Sequence, residues 1–191
     1  MVAPFSLVGR AALVTGAGSA DGIGFATARL LGRMGARVVV SATSDRIHER
    51  AGELVAEGID AIALLADLTD PDQAQRLVDG TVGHLGRLDV LVNNAGMVQT
   101  GVTLESGTLA DQPLESWLRQ LDLTLLTAVH TTRAALPVMQ AQGHGRIVMV
   151  SSVTGPLVSA SGSSAYSTAK AGMDGLMRSL AIEVGRSGIT C

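Results

Sequence analysis

Cysteine and aromatic residues are nearly absent from this sequence. Its 191 residues include one cysteine, Cys191, so no disulfide can form within the chain, and its cysteine use does not indicate an oxidising compartment. Aromatic residues make up 2% of the chain, and Tyr166 is the only tyrosine. Any chemistry that requires a phenol must therefore use this residue.

Charge is scarce as well. Charged residues make up 16% of the chain and sum to −3, so the sequence lacks the basic stripe that binding to a nucleic acid requires. It also lacks an apolar run near the ~20 residues of a membrane span, and its first residues lack the basic region and cleavage site of a secretory signal. We expect a cytoplasmic protein with no nucleic-acid partner and no membrane association.

Apolar residues are abundant, at 47%, and a chain of this length can bury a sizeable core without a metal or a disulfide. Short apolar runs alternate with helical segments, which is typical of a parallel sheet with crossover helices. We predict one domain over residues 1–191 with an α/β, doubly wound (Rossmann-like) fold. The predicted strands are 11–15, 37–41, 61–65, 88–92, 147–150 and a sixth that starts at Gly188; the predicted helices are 22–34, 46–57, 71–85, 121–139 and 169–184.

Two features of the predicted strands and helices lead to further expectations. The first three strands are continuously apolar, which predicts that helices cover both of their faces. In helices 121–139 and 169–184 the apolar residues spread over more of the circumference than one sheet face can cover. We therefore expect these two helices to form the interface of a homo-oligomer, a dimer or a tetramer. The alternative is a long internal helix.

A glycine-rich turn follows the first strand and opens the first helix, in the sequence TGAGSADGIG from Thr15 to Gly24. Glycines let the backbone approach a diphosphate closely, and the helix N-terminus offers free N–H groups and partial positive charge. The turn predicts a dinucleotide site; a purely structural turn of small residues is the alternative. The candidate contacts are Gly16, Gly18, Ser19, Gly22, Ile23 and Gly24.

Tyr166 and Lys170 lie four residues apart, a spacing at which two side chains share one face of a helix. A free phenol has a pKa of about 10, too high for efficient proton transfer near neutral pH. A cation about 4 Å away stabilises a phenolate by about 4 kcal/mol at an effective dielectric near 20, roughly the change that is needed. The pair therefore predicts an acid–base centre, with two ordinary surface residues as the alternative.

Three motifs occur in order along the chain. They are Thr15-Gly16 with Gly22-Ile23-Gly24, then Asn93-Asn94-Ala95-Gly96, then Ser152 with Tyr166-Ser167-Thr168-Ala169-Lys170. In this combination the sequence resembles the short-chain dehydrogenases/reductases from about residue 8 onward. The resemblance implies a nicotinamide cofactor and a Tyr–Lys–Ser centre assisted by an Asn. It assigns the proton transfer to Tyr166, the nicotinamide ribose to Lys170 and the substrate oxygen to Ser152, with Ser151 as the rival.

The resemblance also suggests the remaining cofactor contacts. No acidic residue follows the second strand directly, where the hydroxyls of Thr43 and Ser44 and the nearby Arg46 favour NADP over NAD, although Asp45 is close. Asp67 and Leu68 match the position that contacts adenine. Asn94, Ala95 and Gly96 are expected along the far side of the cofactor. The four histidines are dispersed without ligand spacing, so no metal site is predicted.

The sequence departs from the family pattern at three places. About two extra residues lie between Gly16 and Gly22, which leaves open which N–H groups meet the phosphates. Asp122 stands where the family often has an Asn that helps hold a water, and it is either an orienting carboxylate or a helix-surface residue. The chain stops where the family continues through a sixth strand and a substrate-covering loop, so we expect that segment to be missing.

Within the family, the sequence most resembles the 3-oxoacyl-carrier-protein reductases, both in Ala42-Thr43-Ser44 after the second strand and in the chain as a whole. This resemblance implies reduction of a β-keto thioester. Dehydrogenases of sugars, steroids and simple secondary alcohols share the same motifs and remain alternatives. An alternative of another class is a binding protein that senses the dinucleotide without turnover. Activity with NADPH and an acetoacetyl thioester separates these hypotheses.

Overall fold

The computed structural model describes residues 5–96 and 107–191. Residues 1–4, which belong to the segment for which we expect no secretory signal, and residues 97–106 lie outside the described residues. Six parallel strands form one sheet in the order β3-β2-β1-β4-β5-β6. The strands are β1 Ala11–Thr15, β2 Arg37–Ala42, β3 Ala61–Leu65, β4 Val90–Asn93, β5 Gly145–Met149 and β6 Ile189–Thr190. The helices are α1 Ile23–Arg33, α2 Arg46–Ala56, α3 Pro71–Leu85, α4 Leu114–Leu121, α5 Thr127–Gln142 and α6 Ser164–Val184.

The two faces of this sheet carry separate apolar cores, which confirms the doubly wound fold. Along β1 the buried side chains alternate between them, so that Leu13 packs into one core and Val14 into the other. Helices α3, α5 and the end of α6 complete the first core, while α1 and α2 complete the second. In the described part of the chain, no helix is both long and apolar enough to cross a bilayer.

Burial of the strands depends on their place in the sheet. The prediction that the first three strands are covered on both faces holds for β1 and β2 and is wrong for β3, whose residues are only partly buried. The reason is that β3 lies at the sheet edge, where Leu65 remains 49% exposed. On β5, Val148 is 47% exposed on one face of the sheet.

Helix α3 begins as its sequence predicts. The side chain of Asp70 accepts hydrogen bonds from the backbone N–H groups of Asp72 (2.8 Å) and Gln73 (3.4 Å), and Pro71 occupies the first helical position. The Gln73 side chain donates back to Asp70 over 3.1 Å. These local bonds place the N-terminus of α3 beside the end of β3.

The long helix predicted over residues 121–139 begins earlier and is not uniform. It starts as α4 at Leu114, widens into a π-helical segment over Asp122–Leu126, and continues as α5 to Gln142. None of the α4 residues is buried, although Leu114, Trp117, Leu118 and Leu121 follow a helical apolar pattern that the prediction did not use. Helix α6 likewise begins at Ser164 rather than at 169, which places Tyr166 in its first turn.

Candidate functional site

A cleft opens at the carboxyl ends of the central strands. The strand order reverses between β1 and β4, and ligands of such sheets bind in the crevice at this point. Eight of the predicted site residues line the cleft: Gly16, Gly18, Ser19, Thr43, Ser44, Leu68, Ala95 and Gly96. Residues at distant positions of the sequence thus meet at one edge of the sheet.

The glycine turn is held against the end of β4 by Asn94. The side-chain amide of Asn94 donates to the carbonyls of Thr15 (3.0 Å) and Gly16 (2.9 Å). Gly16 has φ of +67°, and a Cβ there would lie 2.7 Å from the Ala95 Cα, so only glycine fits. The side chain of Asn94, predicted as a cofactor contact, therefore bonds to the turn, while Ala95 and Gly96 line the cleft.

Thr15 is a residue of this turn whose role sequence reasoning missed. Its hydroxyl donates to the carbonyl of Val92 (3.2 Å) and accepts from the backbone N–H groups of Asn94 (3.1 Å) and Ala95 (3.0 Å). The Thr-Gly motif identified Thr15 as a residue of the turn but did not indicate that its hydroxyl bonds to the end of β4. Through these bonds β1 and β4 end at the same level beneath the cleft.

The second half of the glycine turn, Gly22 to Gly24, lets helix α1 pack closely against the first half of the turn. Gly22 precedes α1 and caps it, and Ile23 begins it; neither lines the cleft. A Cβ on Gly24 would lie 2.5 Å from the Asn94 side-chain nitrogen and 2.8 Å from the Gly16 carbonyl oxygen. Gly24 is thus required for close packing of helix and turn, which brings the free N–H groups of the helix end toward the cleft.

We expect Gly24→Ala to weaken dinucleotide binding by at least about tenfold, because the methyl group displaces the Asn94 amide and with it the turn. Fluorescence titration with NADPH measures the effect. Gly52→Ala in α2 is the matched control, since a Cβ there meets no atom within 4 Å. Equal affinity of the two variants would contradict this role of Gly24.

The end of β2 forms the opposite wall of the cleft. Ser41, Thr43, Ser44 and Arg46 line it, and the Arg46 Nε donates to the Ser44 hydroxyl over 3.4 Å. The Ser41 hydroxyl is buried without a hydrogen-bond partner among the described residues. A buried hydroxyl without a partner is costly, so this wall fits a polar ligand such as a nucleotide.

Asp67 and Leu68 follow β3, and of the two only Leu68 lines the cleft. One carboxylate oxygen of Asp67 accepts from the backbone N–H (3.0 Å) and the hydroxyl (2.7 Å) of Thr69, so that oxygen serves a local turn. Leu68 lines the cleft, and its carbonyl lies 2.9 Å from the His130 Nδ1 on α5. His130, for which the sequence predicted no metal-binding role, thus holds the Leu68 backbone in place.

Tyr166 and Lys170 lie on one face of α6, as their spacing predicts. The Lys170 Nζ is 5.8 Å from the centre of the Tyr166 ring and donates to the carbonyl of Val150 over 2.6 Å. Lys170 is only 4% exposed, and this burial lowers the pKa of its amine. The ammonium is therefore fixed beside the phenol, at the carboxyl end of β5.

The two candidate serines follow β5 rather than lying in it, so strand alternation does not distinguish them. The Ser151 hydroxyl donates to the Lys170 carbonyl over 3.4 Å. The Ser152 hydroxyl accepts from the backbone N–H of Thr154 over 3.1 Å and keeps its own proton for another acceptor. Among the described residues, the Ser151 hydroxyl is thus a donor and the Ser152 hydroxyl an acceptor.

Asp122 opens the π-helical segment and is partly buried. Within the same segment Thr124 is fully buried beside Gly96, and its hydroxyl accepts from the Gln120 side chain over 2.7 Å. π-Helical turns inside α-helices are frequent at functional sites. Leu123 of this segment and Thr127, the first residue of α5, line the cleft.

The chain is similar to known proteins over nearly its whole length. Residues 10–191 match the short chain dehydrogenase family. The chain is 38% identical over 183 residues to the oxidoreductase UcpA of Escherichia coli (strain K12), covering 96% of this chain and 66% of that protein. It is 36% identical over 187 residues to a 3-oxoacyl-[acyl-carrier-protein] reductase of Synechocystis, covering 97% of this chain and 72% of that protein. The chain thus spans about two thirds of the length of these curated relatives.

Solved structures match over nearly the whole chain. A short chain dehydrogenase from Mycobacterium smegmatis superimposes with a TM-score of 0.89 at 35% identity, covering 99% of this chain and 77% of that one. A 7α-hydroxysteroid dehydrogenase complexed with NADH and 7-oxo glycochenodeoxycholic acid gives 0.87 at 29% identity, covering 97% and 69%. A metagenomic short-chain oxidoreductase in complex with NADP gives 0.86 at 35%, covering 96% and 80%. Because the family match covers the cleft, the glycine turn and the Tyr166–Lys170 pair together, the chain belongs to the short-chain dehydrogenase/reductase family.

Proposed function

We propose that this protein is an NADP-dependent oxidoreductase that transfers a hydride between nicotinamide and a carbonyl or alcohol carbon, and that its reaction is the reduction of a 3-oxoacyl thioester. One observation carries the proposal. A cleft built from the glycine turn opens at the same sheet edge as a buried lysine amine beside a phenol. Both parts are needed for hydride and proton to reach one carbonyl group.

The residues of the cleft divide into those that hold a dinucleotide and those that shape its site. Gly16, Gly18 and Ser19 would meet the diphosphate together with the N–H groups at the start of α1. Thr43, Ser44, Leu68, Ala95 and Gly96 would meet the adenosine half and the far side of the cofactor. Gly22, Ile23, Gly24, Asn94 and Asp67 act by shaping these walls. The bound dinucleotide supplies the hydride.

The acid–base step belongs to α6 and the loop before it. The Tyr166 hydroxyl donates a proton to the substrate oxygen, and the Ser152 hydroxyl donates a hydrogen bond to the same oxygen. The Lys170 ammonium favours the phenolate that remains and holds the nicotinamide ribose. Asp122 orients a water near the π-helical segment, from which the proton is replaced.

Oxidation of NADPH in the presence of an acetoacetyl thioester tests this proposal. We expect steady oxidation that depends on the thioester and a 3-hydroxyacyl product. Oxidation with a steroid ketone, a sugar or a simple ketone in place of the thioester would support a dehydrogenase of that class instead. Binding of NADPH without turnover on any carbonyl compound would support the non-catalytic sensor.

The preference for NADP rests on Arg46 and Ser44 at the end of β2. We expect Arg46→Gln to lower the preference for NADP over NAD by about tenfold, because a charge-assisted hydrogen bond to a phosphate contributes about 1.5–3 kcal/mol. Dissociation constants of both dinucleotides measure the change. Arg76→Gln on the exposed side of α3 is the control. A loss of affinity for NAD equal to that for NADP would contradict a 2′-phosphate contact.

Helices α5 and α6 are the proposed interface of a homo-oligomer, either a dimer or a tetramer. Residues on the outer sides of both helices are partly buried or exposed in the single chain. Sedimentation equilibrium of the purified protein gives the mass in solution. A monomer over the whole concentration range would contradict this part of the proposal.

A further inference from the structure

Two buried hydroxyls end neighbouring strands of the sheet, and they differ in their hydrogen bonds. Thr15 on β1 and Ser41 on β2 are partners in the parallel register, and each is 1% exposed. The Thr15 hydroxyl donates to the Val92 carbonyl and accepts from two backbone N–H groups after β4. The Ser41 hydroxyl has no partner among the described residues, although Ser41 lines the cleft.

A buried hydroxyl without a partner destabilises the free protein. It has lost its hydrogen bonds to water, and the large majority of buried polar side-chain atoms in folded proteins have a partner. Alanine at this position would avoid the loss by removing a single oxygen atom. We therefore expect the Ser41 hydroxyl to obtain its partner from the molecule that fills the cleft.

The position of Ser41 in the sheet decides which part of a ligand can reach it. Side chains alternate along β2, and Val39 packs into the first core, so Ser41 lies on the face that α3 and α5 cover. Ala66 and Leu68 belong to the same core and also line the cleft. The backbone N–H of Ala66 donates to the carbonyl of Ala42, the residue after Ser41, over 3.1 Å. The neighbouring wall of the cleft is thus apolar.

This wall fits a planar base better than a phosphate. A phosphate requires N–H donors and positive charge, which the cleft provides at the glycine turn and at Arg46. Against apolar side chains a charged group would lose its hydration without compensation. An adenine ring has apolar faces and polar edges, and a serine hydroxyl can donate to a ring nitrogen or accept from the amino group.

We propose that Ser41 is a specificity-determining residue whose buried hydroxyl forms a hydrogen bond with the adenine base of the dinucleotide. The inference rests on the proposed function, because it takes the cleft to hold a dinucleotide. A ligand without the base leaves the hydroxyl unpaired, so this contact selects for an adenine nucleotide.

Two fragments of the dinucleotide test which half meets Ser41. The fragments 5′-AMP and nicotinamide mononucleotide share the ribose 5′-phosphate and differ in the base. The variant Ser41→Ala removes the hydroxyl. The matched control is Thr81→Val, which removes a buried hydroxyl of α3 that donates to the Leu77 carbonyl over 2.8 Å and does not line the cleft. Isothermal titration calorimetry gives the dissociation constants of NADPH and of both fragments.

We expect Ser41→Ala to weaken the binding of NADPH and of 5′-AMP by about two- to tenfold, the usual contribution of one hydrogen bond. Its affinity for nicotinamide mononucleotide should stay the same, and Thr81→Val should leave all three affinities unchanged. An unchanged affinity of Ser41→Ala for 5′-AMP, or an equal loss for the two fragments, would overturn the proposal.

The stability of the ligand-free protein gives a second measurement. Because Ser41→Ala removes a hydroxyl that has no partner, we expect the Tm of the free variant to rise by about 2–4 °C. An unchanged or lower Tm, or a variant that does not fold, would mean that the hydroxyl already has a partner in the free protein. Either result would count against the proposal, which requires higher stability together with weaker binding of 5′-AMP.

These measurements separate the inference from the proposed function, since none of them requires turnover. If the unmodified protein binds neither NADPH nor 5′-AMP, the proposed function is wrong, and the role of Ser41 with it. If it binds both and Ser41→Ala binds 5′-AMP equally well, the inference about Ser41 alone is wrong.

Discussion

Tyr166→Phe is expected to lower turnover by about 100- to 10,000-fold, the usual contribution of a positioned general acid. The substitution removes one hydroxyl and keeps the ring that packs near the Lys170 amine. No other residue can take its place as a phenol, since the chain has a single tyrosine. The rate of NADPH oxidation under saturating substrate measures the effect.

The control for Tyr166→Phe is a measurement of NADPH binding by the variant. Affinity for NADPH should change by no more than several-fold, because the dinucleotide cleft is lined by residues of other elements. Thermal unfolding of the variant should also stay close to that of the original protein. A variant that keeps most of its rate would mean that another group donates the proton.

Asp89→Asn is expected to have the largest effect on stability. Asp89 is fully buried just before β4 and accepts hydrogen bonds from the Arg87 and Arg10 side chains and from the Ala11 backbone N–H, at distances of 2.6 to 2.9 Å. An amide in its place leaves both guanidinium groups without their counter-charge. We expect a loss of about 3 kcal/mol in the free energy of unfolding, or roughly 6–12 °C in Tm.

The same residue gives a test by pH. Burial alone raises the pKa of Asp89, but hydrogen bonds from Arg87, Ala11 and Arg10 outweigh it and hold the pKa below its usual value. The stabilisation is therefore fully present above the carboxyl pKa of the unfolded chain, about 3.9, and is lost as the pH falls through the lower pKa of the folded protein. Urea unfolding of both proteins at neutral and acid pH should show the difference shrinking in acid. Asp79→Asn, an exposed residue of α3, is the control and should show no such difference.

Much of the fold could be predicted from local signals. The bounds of β1 and β3 match the prediction to the residue: β1 lies between Arg10 and the glycine turn, and β3 begins directly after Asp60. Asp70 and Pro71 mark the start of α3, because a capping side chain followed by proline is itself a local signal. The spacing of Tyr166 and Lys170 placed both side chains on one helix face. Such local signals exist where residues that are close in the sequence determine the structure of a segment.

The remaining features depend on contacts between distant residues. The edge position of β3 follows from the order of the strands in the sheet, which the sequence of a single strand does not indicate. The π-helical widening at Asp122 and the bond from Lys170 to the Val150 carbonyl depend on how α6 packs against its neighbours. Thr15 and His130 stabilise the cleft through partners 77 and 62 residues away, for which the local sequence carries no signal.

In the proposed site the nicotinamide ring of bound NADP lies against Tyr166. Because Tyr166 is the only tyrosine, protein with ¹³C-labelled tyrosine gives one set of ring signals that needs no further assignment. A nuclear Overhauser effect between the nicotinamide H4 and these ring protons is the predicted result. Binding of NADP without this effect, contact of the adenine protons with Tyr166 instead, or no binding at all would contradict the proposed site.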